Sequence, residues 1–106
     1  MLSLNSQHTY TDILTHNEHK KVKILYFGAK WCGPCKILKP KIEKLGEDNE
    51  RINIYYADID ICNNLSDKMN ITSVPTVIIL NKNKEFKTIV GNNFDEIIST
   101  LEKIQY

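Results

Sequence analysis

The chain has 106 residues, 42% of them hydrophobic, and sets 14 Lys and Arg against 13 Asp and Glu for a net charge of +1. That length buries a core without disulfides or metals and predicts one domain over residues 1–106, while basic residues spread along the chain exclude a nucleic-acid face. No apolar run is long enough to span a membrane, Met1–Gln7 lacks the charged and apolar regions of a signal peptide, and three cysteines fit a reducing compartment, so the expectation is a soluble, cytoplasmic monomer.

Residues 3–5 predict a short edge strand, and Thr9 to about Asn17 a helix, because Tyr10, Ile13 and Leu14 fall at i, i+3 and i+4 behind a Thr9 N-cap. Val22–Phe27 is a nearly continuous β-forming apolar run, the pattern of a central parallel strand buried on both faces. It leads directly into Trp31-Cys32-Gly33-Pro34-Cys35-Lys36. A helix follows from Pro34 to about Leu45, with Leu38, Ile42 and Leu45 as its apolar stripe, Lys36, Lys39, Lys41 and Lys44 in water, Pro40 as an internal kink and Gly46 as its cap. Ile52–Ala57 is the next strand, and Asp58-Ile59-Asp60 leads to a short helix over Cys62–Met69. Val74-Pro75-Thr76 then opens a strand at Val77–Leu80. Asn81–Lys84 forms a tight turn, Phe86–Val90 pairs back, Gly91 breaks the strand, and Phe94–Ile104 is a last amphipathic helix.

Two cysteines at i and i+3 share one face of a first helical turn, so their sulfurs can meet in a ring too small to staple the fold; the pair reads as a redox dithiol. Pro34 suits the first helical position and Gly33 lets another molecule's backbone come close. Cys32 then lies at the positive end of the helix dipole, where a thiolate is favoured. It is expected to stay exposed and attack, with Cys35 shielded one turn in and resolving. Trp31 shields the pair and offers an apolar contact to partners. A zinc site is not supported, because Cys62 stands alone and His16 and His19 precede the pair; with His8 they read as solvated polar residues.

The WCGPC pentapeptide resembles the active-site signature of the thioredoxin family, and the element order β-α-β-α-β-α-β-β-α extends the resemblance over nearly the whole chain. The resemblance implies an α/β thioredoxin fold, with a central mixed sheet of four to five strands flanked by about four helices. It implies a protein disulfide reductase that has no cofactor of its own, with thioredoxin reductase as electron donor and protein disulfides as substrates. It further implies a cis Val74-Pro75 bond facing the dithiol, with Val74, Pro75 and Thr76 in the substrate-binding surface. Gly91 lies near that surface, and Asp60 accepts the indole N–H of Trp31. Cys62 matches a position where some eukaryotic members carry a regulatory cysteine. Two readings stand beside the reductase: an oxidase or isomerase, and a binding subunit whose dithiol is dispensable.

The chain departs from the family at Tyr26, six residues before Cys32, where most members bury an aspartate that moves protons for the second cysteine. A phenol with a reference pKa of about 10 is a poor base near neutrality. Gly28 replaces an aromatic residue and is expected to loosen the strand end. Resolution by Cys35 should therefore be slow, and Tyr26→Asp should accelerate it; an unchanged rate across pH 6 to 8 would count against carboxylate assistance.

Overall fold

All seven residues of Val22–Gly28 are buried, so this strand needs cover on both faces and lies in the middle of the sheet. The computed structural model describes residues 1–18 and 22–104; His19 lies outside them. In chain order the elements are β1 (Leu2–Ser3), α1 (Tyr10–Thr15), β2 (Val22–Gly28), α2 (Gly33–Asp48), β3 (Ile52–Asp58), α3 (Asn63–Lys68), β4 (Thr76–Asn81), β5 (Lys84–Val90) and α4 (Phe94–Glu102). The five strands are ordered β1-β3-β2-β4-β5. β1 and β2 run parallel to β3, whereas β4 is antiparallel to β2 and β5 to β4.

The strand period of two divides the core. Val22, Ile24 and Tyr26 point to one face, where Leu38 and Ile42 of α2 and Ile97 and Leu101 of α4 cover them. Leu25 and Phe27 point to the other, against Ile13 of α1 and Leu65 of α3. Helices on both faces of a mostly parallel centre make a three-layer α/β/α arrangement. The exception on β2 is Lys23, fully buried, whose ammonium donates to the carbonyls of Ile13 and Leu14 at 2.8 and 2.9 Å and to Asn83 Oδ1 at 3.2 Å. A cation thus closes the C-terminal end of α1 and ties it to the β4–β5 turn, and burial pushes its pKa down.

Several boundaries differ from the expected ones. β1 has only two residues, Leu2 and Ser3, paired with Tyr55 and Tyr56. α1 stops at Thr15, because His16 is already extended and Asn17 has a φ of +46°. α2 begins one residue earlier than expected and runs through Gly46 to Asp48, with Asn49 as its C-cap. Gly46 is therefore not a cap. A Cβ there would stand 2.8 Å from Ile54 Cδ1, so the missing side chain lets α2 lie close over β3. Pro40 lies inside α2 on its exposed side. The β4–β5 turn places both Lys82 and Asn83 at positive φ, +54° and +64°, the conformation that two-residue hairpins require. α4 ends at Glu102, and Ile104, although past the helix, stays buried with 5% exposure. Gly28 does not loosen β2: it pairs with Asp58, and its carbonyl accepts the Ile59 N–H at 2.9 Å.

The short α1 depends on its start. Thr9 Oγ1 accepts the Asp12 N–H at 3.2 Å and Asp12 Oδ2 accepts the Thr9 N–H at 2.8 Å, a reciprocal capping box. Those bonds to Thr9 hold the Asp12 carboxyl below its ordinary 3.8. A depressed folded pKa means that the contribution is complete above the unfolded value and fades as pH falls through the lower folded one. Thr9→Ala should cost about 1 kcal/mol and lower the thermal midpoint by about 4–8 °C, with part of that difference disappearing below about pH 4. Thermal unfolding at pH 7 and pH 3 checks both.

Candidate active site

β2 ends at Gly28, and the chain turns through Ala29, Lys30 and Trp31 before α2 begins at Gly33. Cys32 is the N-cap of that helix, with extended backbone angles of −84° and 111°, and its Sγ accepts the Cys35 N–H at 3.2 Å. One of the orphan donors of the first turn is thereby satisfied by sulfur. Cys32 and Cys35 form a disulfide with Cα atoms 5.3 Å apart, within the range a disulfide accepts. Pro34 is the second helical residue, where its absent N–H still costs no intrahelical bond. A Cβ on Gly33 would meet nothing within 4 Å, so the backbone beside Cys32 is open to an approaching molecule.

Exposure does not separate the two cysteines. Both are 4% exposed, so Cys32 does not stay open as expected. In the closed disulfide its sulfur folds back over the start of α2, and Ala29, Ile59 and Val74 pack around the pair. Trp31, next to Cys32 in the chain, is 66% exposed. Its indole N–H donates to Asp60 Oδ2 at 2.8 Å, and the Asp60 N–H donates to Asp58 Oδ1 at 2.9 Å. This chain of bonds fixes the Trp31 ring beside the dithiol with one apolar face in solvent.

The Val74-Pro75 bond is cis. Val74 packs against the dithiol cluster, and Thr76, the first residue of β4, is buried and donates from Oγ1 to Ser73 O at 2.7 Å. Gly91 follows β5 with a φ of +91°, a conformation suited to glycine, and its N–H donates to Pro75 O at 2.8 Å. The fold therefore brings Val74 against Cys32 and Cys35, with Pro75 and Thr76 following it in the chain and Gly91 tied to Pro75.

Tyr26 lies directly beneath α2, fully buried, with its hydroxyl donating to the Cys35 carbonyl at 2.9 Å. Burial, reinforced by the neighbouring Tyr56 phenol, pushes its pKa far up, so it is neutral near neutral pH. Tyr56 is its register partner on β3, with ring centroids 5.2 Å apart, and the Lys39 ammonium lies 4.5 Å above the Tyr56 ring. Ile59, Ala29 and Tyr56 were not singled out from the sequence. Tyr56 is found only through the β2–β3 register, which pairs it with Tyr26.

Cys62, the N-cap position of α3, is 2% exposed, and its Sγ donates to Asn5 O at 3.5 Å within the other core. Burial and then the Asp58 carboxylate push its thiol pKa up, the opposite of a reactive cysteine. His16 is exposed and His8 half-buried, and each has a polar neighbour. His8 Nδ1 accepts the Asn5 N–H at 2.9 Å, and His16 Nδ1 is 2.7 Å from the hydroxyl of buried Tyr55. Among the described residues no three His, Cys, Asp or Glu side chains gather as a metal site, and no helix is long and apolar enough to cross a membrane.

Known proteins place this arrangement. The family model described as Thioredoxin matches residues 2–103. The mitochondrial Thioredoxin-2 of Schizosaccharomyces pombe is 33% identical over 102 residues, covering 96% of this chain and 77% of the relative. The crystal structure of Fasciola hepatica thioredoxin superposes with a TM-score of 0.87 at 25% identity, covering 99% of this chain and 100% of that one, and Plasmodium falciparum thioredoxin with 0.83 at 26%, covering 99% and 100%. Since the matched residues take in every helix and strand as well as the dithiol at the head of α2, the chain belongs to the thioredoxin family.

Proposed function

We propose that the thiol–disulfide exchange of this protein, the reduction of protein disulfides, runs with Cys32 as nucleophile and Cys35 as resolving thiol. The observation that carries the assignment is the Cys32 sulfur at the N-cap of α2, accepting the Cys35 N–H. An N–H donor and the positive end of a long helix favour the anion at Cys32, whereas Cys35 lies one turn in, against Tyr26. In the reduced protein the Cys32 thiolate attacks one sulfur of a substrate disulfide; the other sulfur leaves with the bonding pair, and a mixed disulfide forms. Cys35 then loses its proton and attacks Cys32 Sγ. The substrate's second sulfur is released as thiolate, and the Cys32–Cys35 bond closes. Two electrons pass from protein to substrate.

The substrate meets the exposed ring of Trp31, the open backbone at Gly33 and Pro34, and the Val74-Pro75-Thr76 turn, whose backbone supports an extended chain as in strand addition. Asp60 holds Trp31 in place. Gly91, where a Cβ would meet nothing within 4 Å, leaves the far side of that surface clear. Thioredoxin reductase returns the electrons, which makes the protein an electron carrier for cell redox homeostasis. It works as a single-domain monomer with no cofactor, without nucleic acid or membrane, and in the cytoplasm, a reducing compartment in which the Cys62 thiol stays free. Cys62, buried, responds to oxidants only when the α1–α3 side opens.

Cys35→Ser should accumulate a covalent adduct with a disulfide substrate, visible by non-reducing electrophoresis, while Cys32→Ser should form none; the reverse pattern exchanges the two roles. The Cys32/Cys35 couple, equilibrated against a glutathione buffer, should lie near the roughly −270 mV of a reductant. A value near about −180 mV or above assigns the protein to the oxidase or isomerase class instead.

A further inference from the structure

Gly28 leaves a gap next to the dithiol that is slightly too small for a methyl group. A Cβ on it would stand 3.2 Å from Tyr56 Cε1, 3.4 Å from Tyr26 Oη and 3.5 Å from Cys35 Sγ, so the three groups converge on one point. The Tyr26 hydroxyl has a single proton, and it is committed to the Cys35 carbonyl at 2.9 Å. What the oxygen still offers toward the gap is acceptor capacity. In the disulfide the Cys35 sulfur has no proton to donate. Once the bond opens, Cys35 carries an S–H beside that lone pair.

We propose that Tyr26 is a positioning residue for the resolving step: it holds Cys35 as the protonated thiol, its S–H donating to Tyr26 Oη across the gap that Gly28 leaves. The inference rests on Cys35 being the resolving cysteine. Tyr26 takes up no proton. The thiol gives its proton to water before the thiolate attacks Cys32 Sγ, the Cys32–substrate bond breaks, and the substrate sulfur leaves with the electron pair. A hydrogen bond to the neutral form raises a pKa, so the mixed disulfide persists longer at acidic and neutral pH than it would beside an apolar ring. The device works because the phenol remains neutral; a carboxylate at the same place would take the proton itself.

Other titratable and charged groups of this region are Tyr56 and Asp58 of β3, the latter in register with Gly28, Asp60, whose carboxylate accepts the Trp31 indole N–H, and Lys39 of α2 above the Tyr56 ring. Ala29, Ile59 and Val74, which pack around the cysteines, are apolar. All of these stay the same when Tyr26 alone is substituted.

In a Cys32→Ser/Cys62→Ala background Cys35 is the one cysteine left, and the serine hydroxyl stands in for a Cys32 sulfur that bears no thiolate. The pH dependence of Cys35 alkylation by iodoacetamide, followed by mass, then reports its pKa. Adding Tyr26→Phe should move the midpoint down by about one pH unit, the equivalent of one neutral hydrogen bond. A midpoint that is unchanged or raised overturns the proposal. If the Phe variant does not fold, the S–H stretch of Cys35 in the parent Cys32→Ser/Cys62→Ala protein decides: a thiol donating to oxygen absorbs at lower frequency than a free one, and the free frequency overturns the proposal. Because this titration does not depend on which cysteine attacks first, its failure leaves the trapping result standing, and failure of the trap leaves the titration readable.

Discussion

Everything in this molecule is arranged by the burial of one strand on both of its faces. β2 has no exposed residue, so it cannot lie at an edge, and helices must cover it above and below. α2 and α4 take the Tyr26 side, α1 and α3 the Phe27 side. The same requirement explains the buried Lys23, whose charge would be intolerable in that position without the carbonyls of Ile13 and Leu14 to receive it. It also explains why the dithiol is where it is: a central parallel strand has to leave the sheet at its C-terminal end, and the covering helix has to begin there.

That junction joins two properties that redox chemistry uses together. The first turn of α2 has backbone donors with no helical partner, and the Cys32 sulfur accepts one of them. The cysteines nevertheless sit under an apolar cover of Ile59 and Val74. Since the two are equally buried in the disulfide, the difference between them comes from position along the helix and not from access. Asp60 and Gly91 reach the site from the ends of β3 and β5, elements far apart in sequence that β2 and β4 hold in register.

Beneath the dithiol the usual polarity of such a site is altered. A neutral phenol, kept neutral by burial, occupies the space below Cys35 and spends its proton on a backbone carbonyl. Tyr56 accompanies it because the parallel β2–β3 register pairs the two rings, and Gly28 is the residue that lets both fit against the cysteine. These three residues form one packing unit, in which the missing side chain at Gly28 leaves room for the Tyr26 hydroxyl and the Tyr56 ring.

The sequence by itself carried the architecture. Hydrophobic period separated strands from helices, the buried run at Val22–Phe27 marked the centre, and Cys32 and Cys35 at helical spacing disclosed the chemistry, since these signals are local. Boundaries were less legible, because where a helix stops depends on what it packs against. Gly46 has the look of a cap by composition, yet it lies inside α2 owing to the proximity of Ile54. Only the tertiary structure decided what surrounds the sulfurs. Ile59 and Val74 pack against them, the Trp31 indole bonds to Asp60, and Tyr56 stands beside Tyr26, because such neighbours are set by strand register and chain reversal and not by spacing along the chain.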